Sequence, residues 1–137
     1  MTSKPKPGAT RAFTISTADA ALEGEDHPIH GDVTWHTLIS ADRTPSSSMV
    51  LGIAHLEPGG WLGLHRHDPA EFYLGLSGEA TATVDGTPFR IAEGIALFIP
   101  GNAEHGIRAG PRGCSFAYGF AVGAFSDIVY RYSKEAT

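Results

Sequence analysis

From Val33 onward this chain is cut into short pieces. Pro58-Gly59-Gly60, Asp68-Pro69, Ser77-Gly78, Asp85-Gly86 and Pro100-Gly101-Asn102 each separate runs that are too short for an ordinary helix. Such punctuation favours strands, which need only a few residues to present one buried face. The candidates are Val33–Ser40, Met49–Glu57, Trp61–His67, Glu71–Leu76, Ala80–Val84, Thr87–Ile91, Ile95–Ile99, His105–Ala109 and Cys114–Val122, with Asp127–Tyr132 as an edge strand. Asp85-Gly86 is the pair that a two-residue hairpin turn favours. So many short strands, with 17 glycines to turn them, predict an all-β closed barrel of the jelly-roll type. Upstream, residues 1–12 read as a lead-in, and Phe13–Leu22 as a short strand followed by a helical turn. Glu23–Asp32 reads as a polar loop in which His27 and His30 are expected to be solvated.

The stretch from Gly59 to Gly78 carries the chemistry. His65 and His67 stand two apart, so on a strand both imidazoles point to one face. Glu71 follows across the Asp68-Pro69 break and can join them. Imidazole with carboxylate suits a divalent transition ion. By the same parity Trp61, Gly63, His65 and His67 share a face, and Tyr73 shares that of Glu71. In the last long run Phe116, Tyr118 and Phe120 alternate with Ala117, Gly119 and Ala121, and parity alone does not say which set faces inward. His36 and His55 lie in strands, where a hydrogen-bonded packing role is expected, and Arg108 is out of phase with His105.

Two segments together resemble the cupin superfamily. Gly59, His65, His67, Glu71 and Gly78 match G-x5-H-x-H-x3-E-x6-G at every fixed position. Gly94, Pro100 and His105 match G-x5-P-x-G-x2-H-x3-N. Asn102 stands for the second motif's later glycine, a mild change because Asn tolerates a left-handed backbone, and Ala109 stands for its asparagine. The resemblance covers roughly residues 35–132. It implies a cupin double-stranded β-helix over residues 28–137, with residues 1–27 as an N-terminal extension. It also implies one divalent metal ion (Fe, Mn, Ni, Co or Zn, with Fe(II) or Mn(II) favoured) held by His65, His67, Glu71 and His105. Small cupins commonly pair as homodimers by exchanging N-terminal strands, and Phe13–Ile15 is the strand available for that exchange. The sequence His-x-His-x3-Glu-x-Tyr, with the tail Phe125–Tyr130, further resembles small cupins that cleave dimethylsulfoniopropionate. In those, a tyrosine at the position of Tyr73 is taken as the base.

Bulk properties bound the partners. A net charge of −5 argues against nucleic acid, and no basic cluster suggests an anionic membrane surface. The apolar run Ile95–Ile99 is far too short to span a bilayer. The lone Cys114 excludes an internal disulfide, fits a reducing compartment and reads as a small buried residue, which makes the cytoplasm the default location. Two function classes remain: a metal-dependent enzyme on a small polar or carboxylate-bearing metabolite, by lyase, isomerase or dioxygenase chemistry, or a non-catalytic module that binds a small ligand through the metal.

Overall fold

A computed structural model describes residues 11–24 and 26–134, so most of the lead-in read over residues 1–12 lies outside the described residues. Nine strands, all paired antiparallel, make up the fold: β1 (Leu22–Glu23), β2 (Thr34–Ile39), β3 (Val50–Leu56), β4 (Trp61–Arg66), β5 (Glu71–Val84), β6 (Thr87–Ala92), β7 (Ala96–Ile99), β8 (His105–Phe120) and β9 (Arg131–Tyr132). Among the described residues no α-helix occurs. Two 3-10 turns, Thr17–Asp19 and Phe125–Asp127, complete the elements.

Two long strands hold the barrel together. The first half of β5 and the second half of β8 sit in one sheet with β1, β2, β3 and β7. The second half of β5 and the first half of β8 sit in the other with β4, β6 and β9. The punctuation at Ser77-Gly78 and around Gly113 predicts strand ends, and the structure shows bends instead. Gly78 and Gly113 both adopt positive φ (67° and 74°), and a Cβ on Gly78 would lie 2.1 Å from the Gly113 carbonyl oxygen. The ladder takes up the strain as register shifts between Gly75 and Ser77 and between Gly78 and Ala80. The chain therefore turns a corner while the pairing of β5 with β8 resumes on either side of it. At Asp85-Gly86 the expected hairpin is present, with φ of 47° and 83° and Val84 paired to Thr87.

Alternation sorts the rest. Val50, Ala54 and Leu56 of β3 and Phe116, Tyr118 and Phe120 of β8 face inward, while Phe72 and Phe98 face out as a cross-strand pair. Phe13–Ile15 carries no strand in this chain. The first pairing begins at Leu22–Glu23, against His36 and Trp35. Gly75 marks the tightest approach inside the barrel, where an added Cβ would fall 1.9 Å from the carbonyl oxygen of Ala92. Its neighbour there is backbone and cannot swing aside. Gly75→Ala should destabilise the protein by about 3 kcal/mol, a fall in Tm of about 10 °C, read by calorimetry. An unchanged Tm would show that the two strands separate freely at this point.

Candidate metal centre

The centre is assembled from both sheets. β4 supplies His65, and His67 follows just past its end. His105 opens β8, and Glu71 opens β5. All four are buried. The ligating atoms of His65, His67 and His105 lie within 4.8 Å of one another, and Glu71 Oε1 is 3.1 Å from His67 Nε2 and 3.2 Å from His105 Nε2.

Each imidazole is aimed by a backbone carbonyl close to it in sequence. His65 Nδ1 is 2.7 Å from the Gly63 oxygen, His67 Nδ1 2.9 Å from Pro69, and His105 Nδ1 2.9 Å from Ala103. A carbonyl oxygen only accepts, so Nδ1 carries the proton in all three. In its neutral form each ring then turns a bare Nε2 lone pair to the centre, the tautomer a metal ligand requires. The His65 Nε2 is buried with no hydrogen-bond partner. An orphaned lone pair in a dry interior is costly unless a cation meets it. The three buried histidines are thus positioned for a metal ion, and Glu71 is within reach to complete the set.

The charges agree with this arrangement. Burial, with the nearby His105, pulls His65 down to about 3, so this ring is neutral at any ordinary pH. Burial also opposes a charge on His67, but the bond and charge of Glu71 outweigh it and raise its pKa. Burial would raise Glu71 too, and the bonds from His105 and His67 reverse that to a net lowering.

One expectation of the sequence fails here. Trp61 does not share the face of His65. Pairing of β4 with β8 runs Trp61–Arg108, Leu62–Ile107 and then His65–His105, so β4 holds one extra residue between Leu62 and His65. This bulge turns Leu62 inward and Trp61 outward, where the Arg108 guanidinium lies 5.5 Å from its ring. Gly63 lets the Ile29 carbonyl approach this bulge, since a Cβ there would meet it at 2.5 Å.

A cavity of about 280 Å³ opens beside the centre. Glu71 and Tyr73 reach it from β5, Tyr118 from β8, Trp35 from β2 and Phe125 from the second 3-10 turn. Tyr73 is only 2 % exposed, and its ring is 6.4 Å from that of His105. Burial and the Glu71 carboxylate push this phenol well above its ordinary range. The described lining residues include no Lys or Arg.

Among the lining residues the sequence left out of the site are two histidines of the polar loop and two tyrosines of the tail. His27 and His30, expected in solvent, stack on each other at 3.9 Å, and His30 stacks on Tyr132 at 3.7 Å. Tyr130 lies parallel to the His65 ring at 4.7 Å. His27 Nδ1 accepts bonds from the backbone N–H of Ile29 and His30, and Gly63 N–H donates to His30, which pins the loop against β4. The tail Phe125–Tyr130 was legible as a resemblance, but no spacing ties His27 or His30 to the centre. His36 and His55 stay outside the cavity as an edge-to-face pair, their rings 5.2 Å apart. Cys114 is buried, which raises its pKa and fits a packing role.

A cupin domain model matches residues 52–112. The chain is 49 % identical over 122 residues to the dimethylsulfoniopropionate lyase DddW of Ruegeria pomeroyi, covering 89 % of this chain and 80 % of that protein. The chain belongs to the cupin family. Among solved structures this cupin resembles the polyketide cyclase RemF of Streptomyces resistomycificus (TM-score 0.74, 18 % identity, 92 % of this chain and 88 % of that one). It also resembles a chain from the crystal structures of the dimethylsulfoniopropionate lyases RdDddP and RnDddQII (TM-score 0.71, 18 % identity, 84 % and 63 % covered). At those identities the two structures speak for the shared fold.

Two outcomes follow for the centre. His65→Ala and Glu71→Ala should each weaken metal binding at least about tenfold, seen as loss of metal by elemental analysis after dialysis; full retention in both would refute the ligand set. Because Glu71 keeps a proton on His67 up to a pH above the ordinary histidine value, an incoming ion must displace it. Affinity should be full above that raised value and fall as pH drops through it, about tenfold per unit for one proton. Calorimetric titration in two buffers of different ionisation enthalpy counts the proton released, and a count of zero at neutral pH would remove the Glu71–His67 pairing.

Proposed function

We propose that this cupin is a metal-dependent lyase that cleaves dimethylsulfoniopropionate, with His65, His67, Glu71 and His105 as the metal ligands and Tyr73 as the base. The observation that carries the reading is the likeness to the DddW lyase over nine-tenths of the chain. The position of Tyr73, one cross-strand step from Tyr118 and two residues beyond Glu71, supports it chemically.

The cavity suits such a substrate. Its volume is at the small end for ligand sites, which favours a small metabolite. Among the described lining residues there is no Lys or Arg to pair with a carboxylate. The sulfonium end, by contrast, finds ring faces at Trp35, Phe125, Tyr130 and Tyr132. When bound among the four ligands, a divalent ion supplies a position for the substrate's carboxylate and a positive charge that lowers the pKa of a nearby phenol.

The reaction is an elimination. Tyr73 oxygen takes the proton from the carbon next to the carboxylate. That electron pair forms the carbon–carbon double bond, and the far carbon–sulfur bond breaks with its pair staying on sulfur. Dimethyl sulfide leaves as a neutral molecule, acrylate as an anion, and one proton remains with the protein. Burial works against this base in the metal-free protein, because it holds Tyr73 protonated well above neutral pH. Base activity thus depends on a filled centre.

Metal-loaded protein should release dimethyl sulfide from this substrate, measured by gas chromatography, and metal-stripped protein should not. Tyr73→Phe should lower kcat by about 10²–10⁴-fold, the usual weight of a positioned base, with metal content unchanged. Release at the wild-type rate by the Phe variant would assign the base elsewhere; no release by the loaded wild type would overturn the reading.

A further inference from the structure

The proposed reaction leaves one proton per turnover in a buried site, and the structure contains a polar path that leads away from it. Thr37, Gly52, Tyr118 and Tyr73 lie in one register row across β2, β3, β8 and β5. Between Thr37 and Tyr118 stands a glycine, and this decides the geometry. A Cβ on Gly52 would fall 2.2 Å from the Tyr118 hydroxyl oxygen, so the phenol lies across β3 only because that position has no side chain. Glycine in a strand interior weakens it and here marks a close approach. The phenol reaches over it to Thr37 Oγ1, 3.4 Å away. Thr37 Oγ1 in turn lies 3.2 Å from Glu23 Oε2, and the Arg43 guanidinium holds both Glu23 oxygens at 2.8 and 2.9 Å.

Chemistry fixes the direction of these bonds. An ionised carboxylate only accepts, so the Thr37 hydroxyl donates to Glu23. Its lone pair is then free for the Tyr118 O–H, which donates to Thr37. Thr37 is buried at 4 % exposure, Tyr118 lines the cavity, and the Glu23 side chain is 26 % exposed. The chain of donors therefore runs from the cavity to the surface.

We infer that Tyr118, Thr37 and Glu23 form a proton exit from the substrate cavity to solvent. The inference rests on the lyase reading above. Water in the cavity carries the proton from Tyr73 to the Tyr118 oxygen, and its arrival there is matched by transfer of the Tyr118 proton to Thr37 and of the Thr37 proton to Glu23. Three O–H bonds form as the donor bond in the cavity and two O–H bonds in the chain break, and no other reactant is needed. Burial raises the Tyr118 pKa, so the hops proceed together rather than through a free phenolate. Arg43 keeps Glu23 below the usual carboxylate range, so the proton does not stay there and passes to water. Tyr118 and Thr37 then reset by rotating their hydroxyls.

The test uses the metal-loaded protein with dimethylsulfoniopropionate in dilute buffer. Thr37→Val keeps the shape and removes the hydroxyl. It should lower kcat at least about tenfold with KM nearly unchanged. Added imidazole should restore the rate in proportion to its concentration, because a small base replaces the missing carrier, whereas the wild type should ignore it. Thr37→Ser should recover the wild-type rate. Glu23→Gln, at the surface end, gives a second variant that does not disturb the barrel interior and should show the same imidazole response. Tm and metal content are measured for each. A Thr37→Val protein that matches the wild type in rate overturns the exit alone. So does one that is slow, indifferent to imidazole and unrelieved by serine, since that pattern means Thr37 only positions Tyr118. No turnover by the loaded wild type overturns the lyase reading, and the exit falls with it.

Discussion

Three short hydrogen bonds, from the Nδ1–H of His65, His67 and His105 to the carbonyls of Gly63, Pro69 and Ala103, govern the rest of the structure. Each fixes a tautomer and a ring plane at once, and each acceptor lies two residues from its histidine. The rings are therefore aimed by backbone local to each of them. Closure then brings β4, β5 and β8 together and turns three separate lone pairs and one carboxylate into a single electron-rich centre. Without a cation such a centre is a liability in a dry interior, as the orphaned His65 Nε2 shows. The fold accepts that local cost and recovers stability from the apolar rows on either side.

The barrel's second device is economy of strands. Because β5 and β8 each serve both sheets, the chain needs no separate connection to link the layer that carries Glu71 to the layer that carries the histidines. The glycines at the shared corner allow this bend, and bulges absorb the mismatch in count. A ligand set drawn from both layers is held at one spacing by continuous backbone.

Much of this was legible in the sequence, for physical reasons. Turn residues end or bend strands wherever they stand, so the position of most strand residues from Thr34 onward and the Asp85-Gly86 hairpin followed directly. His65, His67 and Glu71 were legible because strand parity is a local rule, and Tyr73 followed from Glu71. Three things were not. Ser77-Gly78 and the gap between Ala109 and Cys114 read as strand ends because turn residues signal a break, and only the close approach of Gly78 to Gly113 shows a shared bend. Trp61 was assigned to the wrong face because a bulge resets parity and leaves no mark in composition. His27 and His30 were read as solvated because loop residues have no period, and their place at the cavity follows from backbone bonds to β4 that are far apart in sequence.

The extra residue in β4 has a bearing on how this segment can vary. Leu62 and His65 both face inward only because the count between them is odd by one. Exchange of the outward Leu64 or Arg66 leaves that count intact, whatever the new side chain. Loss of the extra residue would leave Leu62 and His65 two apart, the spacing of a regular strand, so His65 would stay opposite His105 while the bulge that meets the loop at residues 29–31 disappeared. The extra residue therefore serves the seating of that loop, through the bonds of Gly63 to His30 and of Asp32 to Trp61, rather than the direction of the histidines.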